Sequence, residues 1–287
     1  MMLAHEQLLG TNRDGSAAVD SSRALLLTLL GEFVLPSGGS AWTKTIVAAA
    51  ESLGIRDKAA RQALARMDEG GWLDRTKVGR QTRWSLSPYA RTVLESGAER
   101  IYSFGATTRQ WDGRWIVLLA SVPERDRHLR YAMANGLGWA GFGTLGNGTW
   151  LSPWLGQEGT AVELLNGLGV EATSFRAEVG NLGSPTGLVA QAWDLPELRQ
   201  AYTRFLADVE LLDGQSSSGL AAVAELTGLV HQWRRFPLLD PDLPAELLPA
   251  SWPGVAAAQR FGELRTRLRG PAMAWWKSTE AELTPGD

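Results

Sequence analysis

The sequence predicts an α+β multidomain protein: an N-terminal winged helix-turn-helix, a middle ferredoxin-like βαββαβ domain and a C-terminal helical domain. Three observations predict it. Three amphipathic segments and then two extended ones open the chain. Extended and helical segments alternate from Trp111 to Trp193. After Pro196 only helical patterns remain. A length of 287 residues suits two or three such domains. The expected divisions are a disordered tail over 1–20, the head with its linker helix over 21–103, the middle domain over 108–194 and the helical domain over 195–287.

Each element follows from local signals. Leu25, Leu26, Leu29 and Leu30 recur at helical spacing after Ser21-Ser22, residues able to cap a helix start. Pro36 to Ser40 reads as a loop. Thr43 to Leu53 reads as a second helix, stopped by Gly54 in the position that tolerates positive φ. Asp57 is expected to cap a third helix over Lys58 to Glu69, closed by Gly70-Gly71. Trp72 to Thr76 and Gln81 to Leu86 form a hairpin, and a linker helix follows from about Pro88 to Ser103.

In the middle, Trp115 to Val122 is a buried-type strand and Pro123 to Leu137 is helical. Trp139 to Leu145 and Thr149 to Pro153 flank Asn147-Gly148, a strong hairpin signal. Glu158 to Leu168 is helical, and Glu171 to Val179 and Leu188 to Trp193 read as extended.

Composition bounds the function. Hydrophobic residues make up 44% and charged residues 21%, the balance of a soluble globular chain. There is no cysteine, and His5, His128 and His231 lie far apart, so neither a disulfide nor a zinc-type spacing is present. No metal, cofactor or catalytic constellation is expected, and the chain reads as no enzyme. The first residues lack the pattern of a signal peptide, and no apolar run is long enough to span a bilayer, so a cytoplasmic protein with no membrane partner is expected.

Net charge is −3, yet between Arg56 and Arg91 nine Arg and Lys stand against four acids. A basic window in an acidic chain points to a local surface for nucleic acid. On the third helix Ala60, Ala63, Leu64 and Met67 share one face, while Lys58, Gln62 and Ala65 lie opposite with Arg61 and Arg66 on the flanks. Such a face can enter a major groove, where Arg pairs with guanine and Gln with adenine. Lys77, Arg80 and Arg83 sit at or beside the hairpin tip, where a wing touches phosphates or the minor groove. Lys58, Arg61, Gln62, Arg66, Lys77, Arg80 and Arg83 are therefore the candidate DNA-binding residues. The competing reading is a solvated basic face.

Other motifs point elsewhere. Gly141 to Gly146 matches G-x-G-x-x-G, but a turn and a strand follow it where dinucleotide binding needs a helix. Thirteen tryptophans form core or interfaces, or line a ligand pocket. Asp112 and Glu124 flank the first middle strand as conceivable metal ligands or as plain surface acids.

The chain resembles the PaaX-like repressors, regulators of phenylacetic acid degradation. The likeness runs through Arg23 to Glu32, Arg61 to Met67, Gly71-Trp72-Leu73 and Gly79-Arg80. It continues through Trp111 to Trp115, Gly141-Phe142-Gly143 and Trp150 to Pro153. It ends on Asp240-Pro241-Asp242-Leu243-Pro244, Leu247-Leu248-Pro249 and Trp252-Pro253-Gly254. The resemblance implies a Cas2-like middle domain without nuclease activity and a homodimer on an inverted-repeat, double-stranded DNA operator. It also implies repression of a catabolic operon, released by an aryl-CoA thioester such as phenylacetyl-CoA. Arg61 and Arg66 would sit on the recognition helix and Gly79-Arg80 in the wing. The alternative is a CoA-thioester or nucleic-acid hydrolase that uses the winged helix for docking.

Overall fold

The computed structural model describes residues 17–105, 110–212 and 217–284. In chain order these form α1 (Ala17–Leu29), a π-helical turn (Leu30–Val34), β1 (Ser40–Trp42), α2 (Thr43–Ser52), α3 (Asp57–Glu69), β2 (Leu73–Val78), β3 (Gln81–Leu86) and α4 (Pro88–Ser103). Next come β4 (Trp115–Ala120), α5 (Arg127–Trp139), β5 (Gly143–Gly146), β6 (Thr149–Ser152), α6 (Glu158–Leu168), β7 (Ala172–Ala177) and α7 (Pro185–Ala192). The chain ends with α8 (Leu195–Glu210), α9 (Gly219–Trp233), the single turn α10 (Phe236–Leu239) and α11 (Pro253–Leu283). Among the described residues no helix is long and apolar enough to cross a membrane.

The protein is a mixed α+β, multidomain molecule with two compact units. The first gathers Met1–Ser103, Phe205–Arg235 and Gln259–Asp287; the second gathers Phe104–Arg204 and Phe236–Ala258. Residues from 195 onward thus contribute to both.

In the first unit the apolar stripe of α1 continues through the π-helical turn, burying Leu26, Leu27, Leu29, Leu30 and Phe33. α9 supplies the opposing surface with Val223, Leu226, Leu229, Val230 and Trp233 buried. From α11 a stripe at helical spacing, Phe261, Leu264, Leu268, Ala272 and Trp276, is also buried. Trp276 stacks on Phe33 with ring centroids 5.1 Å apart. Glu32, buried in the π-helical turn, faces Arg265 at 3.7 Å, and burial pushes its carboxyl above the usual range. The three strands lie in the order β1-β3-β2, all antiparallel.

In the second unit the sheet order is β5-β6-β4-β7 with every neighbour antiparallel, the arrangement of a βαββαβ ferredoxin-like domain. One face packs Ile116, Leu118 and Ala120 against Met133 and Leu137 of α5 and Ala161 and Leu165 of α6. The other face sets Trp115 and Leu151 against Val189 of α7 and Leu243 and Leu247.

Local expectations shift at several points. α1 begins at Ala17, so Ser21-Ser22 lie inside the helix, and the expected tail lies outside the described residues only up to residue 16. Asp57 is not a cap: its carboxylate turns along the helix to Arg61, and Arg56 holds the extended N-cap position. Helix α5 starts at Arg127, and Trp139 ends that helix instead of opening a strand. Leu188 to Ala192, expected as extended, belongs to α7, and only Trp193, its C-cap, is extended. Ser184 caps that helix by accepting the Gly187 N–H at 3.0 Å, and Pro185 occupies its first turn. β7 is therefore the fourth strand of the sheet.

Candidate nucleic-acid interface

The two helices before the hairpin end alike, the first end setting the turn into α3 and the second the turn into β2. Gly54 has φ +81° and Gly71 φ +71°, the left-handed conformation that costs glycine nothing. In both places the next amide reaches back five residues, Ile55 to the Ala50 carbonyl at 3.0 Å and Trp72 to that of Met67 at 2.8 Å. α3 is held by Ala60, Ala63, Leu64 and Met67, all buried, which turns Lys58, Arg61, Gln62 and Arg66 to solvent.

Arg61 is not loose on that face. Its Nε and Nη2 donate to the two Asp57 oxygens at 2.8 and 3.0 Å, and these bonds hold the Asp57 carboxyl below the usual carboxylate range. The Nε–Nη2 edge of the guanidinium is thus held along the helix by Asp57.

The hairpin closes through Gly79 and Arg80, with Gly79 at φ +59°, the positive φ a two-residue loop requires. Lys77 pairs with Thr82 and shares a sheet face with Arg75 and Trp84. That face meets α3, since Arg75 Nε lies 3.8 Å from Asp68. Lys77 and Arg80 are exposed. Arg83 differs. It pairs with Thr76 and Trp42 on the opposite face, donates to Ser40 Oγ at 3.0 Å and rests 5.1 Å from the Trp42 ring centroid. Arg75 is exposed on the same face as Lys77 because β2 runs on through Lys77 to Val78; the expected strand stops at Thr76 and leaves Lys77 in the turn.

Other expected groups resolve into ordinary structure. Asp112 accepts the Arg114 amide at 3.0 Å and its guanidinium at 2.7 Å, and Glu124 is exposed. Among the described residues no group of three or more His, Cys, Asp or Glu could hold a metal. His231 Nδ1 meets Thr28 Oγ1 at 3.2 Å. The last four residues of the G-x-G-x-x-G stretch form β5, and a Cβ at Gly143 would lie 2.5 Å from Trp193, so the glycine serves close packing.

Comparison with known proteins matches this chain almost from end to end. Residues 21–90 match the PaaX-like protein family, residues 108–189 the PaaX protein central Cas2-like domain and residues 193–278 the PaaX-like protein C-terminal domain. The Transcriptional repressor PaaX of Escherichia coli (strain K12) is 31% identical over 282 residues, covering 93% of this chain and 86% of the relative. Among solved structures, the protein Rv0674 of Mycobacterium tuberculosis superposes with a TM-score of 0.60 at 25% identity, over 91% of this chain and 98% of that one. The chain belongs to the PaaX-like family.

Proposed function

We propose that this protein is a cytoplasmic, DNA-binding transcriptional repressor rather than an enzyme, with α1 to β3 acting as a winged helix-turn-helix. One observation carries the reading: α3 buries a single apolar face and presents Lys58, Arg61, Gln62 and Arg66 on the other, next to a hairpin tipped by Lys77 and Arg80. Arg61 and Arg66 read guanine edges in the major groove and Gln62 adenine, while Lys58 and the wing residues Lys77 and Arg80 meet phosphates. Arg83 supports the wing through Trp42 and Ser40. The repressor relative supports the assignment.

The finer reading is a homodimer on an inverted-repeat operator of a catabolic operon, displaced by an aryl-CoA thioester such as phenylacetyl-CoA. Footprinting tests it: the parent protects an inverted repeat, and Arg61→Ala and Arg66→Ala abolish protection while fold and dimer persist. If both variants bind operator DNA like the parent, α3 is not the reading helix. Failure of a panel of acyl-CoA thioesters to release DNA would remove the effector class alone.

A further inference from the structure

Asp57, an acid, opens the helix proposed to read DNA, where repulsion by phosphates disfavours one. It lies in the first turn of α3, and in a helix-turn-helix the first residues of the reading helix reach base edges. The side chains of Arg61 and Asp57 stay 53% and 48% exposed although they are bonded to each other. The carboxylate makes no cap for the helix, and among the described residues it accepts only from Arg61. Exposed ion pairs of this kind contribute little to stability, so folding gains little from the pairing.

Counting donors and acceptors shows what the pair still offers. A guanidinium has five N–H donors and a carboxylate about four acceptor positions. Arg61 spends two donors, one on Nε and one on Nη2, on the two Asp57 oxygens at 2.8 and 3.0 Å. Its outer edge remains, where one Nη1 donor and the second Nη2 donor run parallel. That edge matches guanine O6 and N7. Each Asp57 oxygen keeps a further acceptor position, and the half-exposed carboxylate leaves it open to solvent. As a unit the pair is neutral, so the carboxylate can approach DNA without the full repulsion of the phosphates.

Spacing then selects the neighbouring base. The carboxylate stands 2.8 to 3.0 Å from the guanidinium nitrogens, comparable with the base-pair step of roughly 3.4 Å. With Arg61 on a guanine, Asp57 therefore reaches the adjacent pair. In the major groove cytosine N4 and adenine N6 donate, whereas thymine O4 and guanine O6 accept. An ionised carboxylate only accepts, so it pairs with the first two and is repelled by the others.

We propose that Asp57 determines specificity beside Arg61: its carboxylate accepts the exocyclic amino group of the base adjacent to the Arg61 guanine, cytosine N4 or adenine N6, and rejects guanine and thymine there. The proposal rests on α3 lying in the major groove. Competition gel shifts with the full chain compare all four base pairs at each position of one half-site of the protected inverted repeat. The parent is expected to favour cytosine or adenine at the adjacent position by about tenfold, and the panel shows which amino group is taken. Arg61→Lys, which lacks the fork, marks the guanine position by losing preference there. The amide of Asp57→Asn both donates and accepts, so this variant should accept all four bases at the adjacent position. Glu51 acts on Arg61 through charge alone, so Glu51→Gln should leave that preference intact. A parent indifferent at the adjacent position overturns the proposal. So does an Asp57→Asn variant that keeps the parent's preference there, or a loss shared by Glu51→Gln. If Arg61→Lys keeps the parent's preferences throughout, the placement of α3 in the groove falls, and the proposal with it.

Discussion

Glu280 accepts the backbone N–H of Trp42 at 3.0 Å across 238 positions of sequence, at the point where β1 turns into α2. Trp42 is the N-cap of α2 and caps nothing with its own side chain, so a carboxylate from α11 stands at that helix start. Its indole Nε1 reaches Thr284 at 3.4 Å, and Arg83 of β3 rests on its ring. Glu280→Ala is expected to destabilise the protein by about 1 kcal/mol and to weaken operator binding although Glu280 is not among the proposed DNA-contacting residues. Glu280→Gln keeps an acceptor and should lie between. Denaturant unfolding and gel shift on the same variants check both.

Wing residues should separate by what they touch. Lys77→Ala and Arg80→Ala are expected to leave the melting temperature unchanged. Each should lower the slope of log K against log salt by about 1. Arg83→Ala removes the bond to Ser40 and the stacking on Trp42, so it should lower thermal stability as well. A melting temperature for Arg83→Ala equal to that of the parent would contradict its assignment as a support.

Asp57→Asn releases Arg61 and removes a negative charge from the proposed DNA face. The variant should bind non-operator DNA severalfold more tightly, with a steeper salt dependence. Discrimination between operator and random DNA should fall, because the guanidinium is no longer held in one orientation. Competition gel shifts at two salt concentrations read both effects.

Acid should loosen the first unit through His231. Burial, then the charges of Arg234 and Arg235, depress its pKa from the ordinary 6.5 to about 4. The unfolded chain takes up this proton first, so the stability is complete above pH 6.5 and is lost as pH falls toward 4. The linkage amounts to about 3 kcal/mol at most, and less because the imidazole is only partly buried. His231→Gln should flatten that part of the pH profile, and the difference between the two profiles cancels the other titrating groups.

Trp276 is fully buried against Phe33. Trp276→Ala should destabilise by about 3–5 kcal/mol, measured by denaturant unfolding. Trp276→Phe retains the stacking partner and should lose less.

Much of the fold was legible in the sequence because periodicity reports burial. The apolar stripes of α1 and α3, and the glycines that close α2, α3 and the hairpin, could be read directly. Other features depend on residues that only the fold brings together. β1 is three residues long and becomes a strand because β3 pairs with it, and that pairing draws Arg83 away from the hairpin tip. Leu188 to Trp193 reads as extended until Ser184 and Pro185 are recognised as a helix start. The π-helical turn has no sequence signal; it accompanies the buried Glu32 facing Arg265. The Asp240 to Pro244 motif was visible as a motif, but Tyr202 and Trp154, which bond Asp240 and Asp242, come from distant segments.

The threefold division of the first unit sets a limit on dissection. A fragment ending at Ser103 would keep every candidate DNA-contacting side chain and yet lose α9 and the buried stripe of α11. Leu26, Leu29, Leu30 and Phe33 would then face water, each carrying apolar surface worth about 1.5–3 kcal/mol when covered. The amino-terminal third holds the proposed recognition residues but only part of the core that covers them. Swapping heads between relatives at that junction would yield aggregates rather than hybrid regulators.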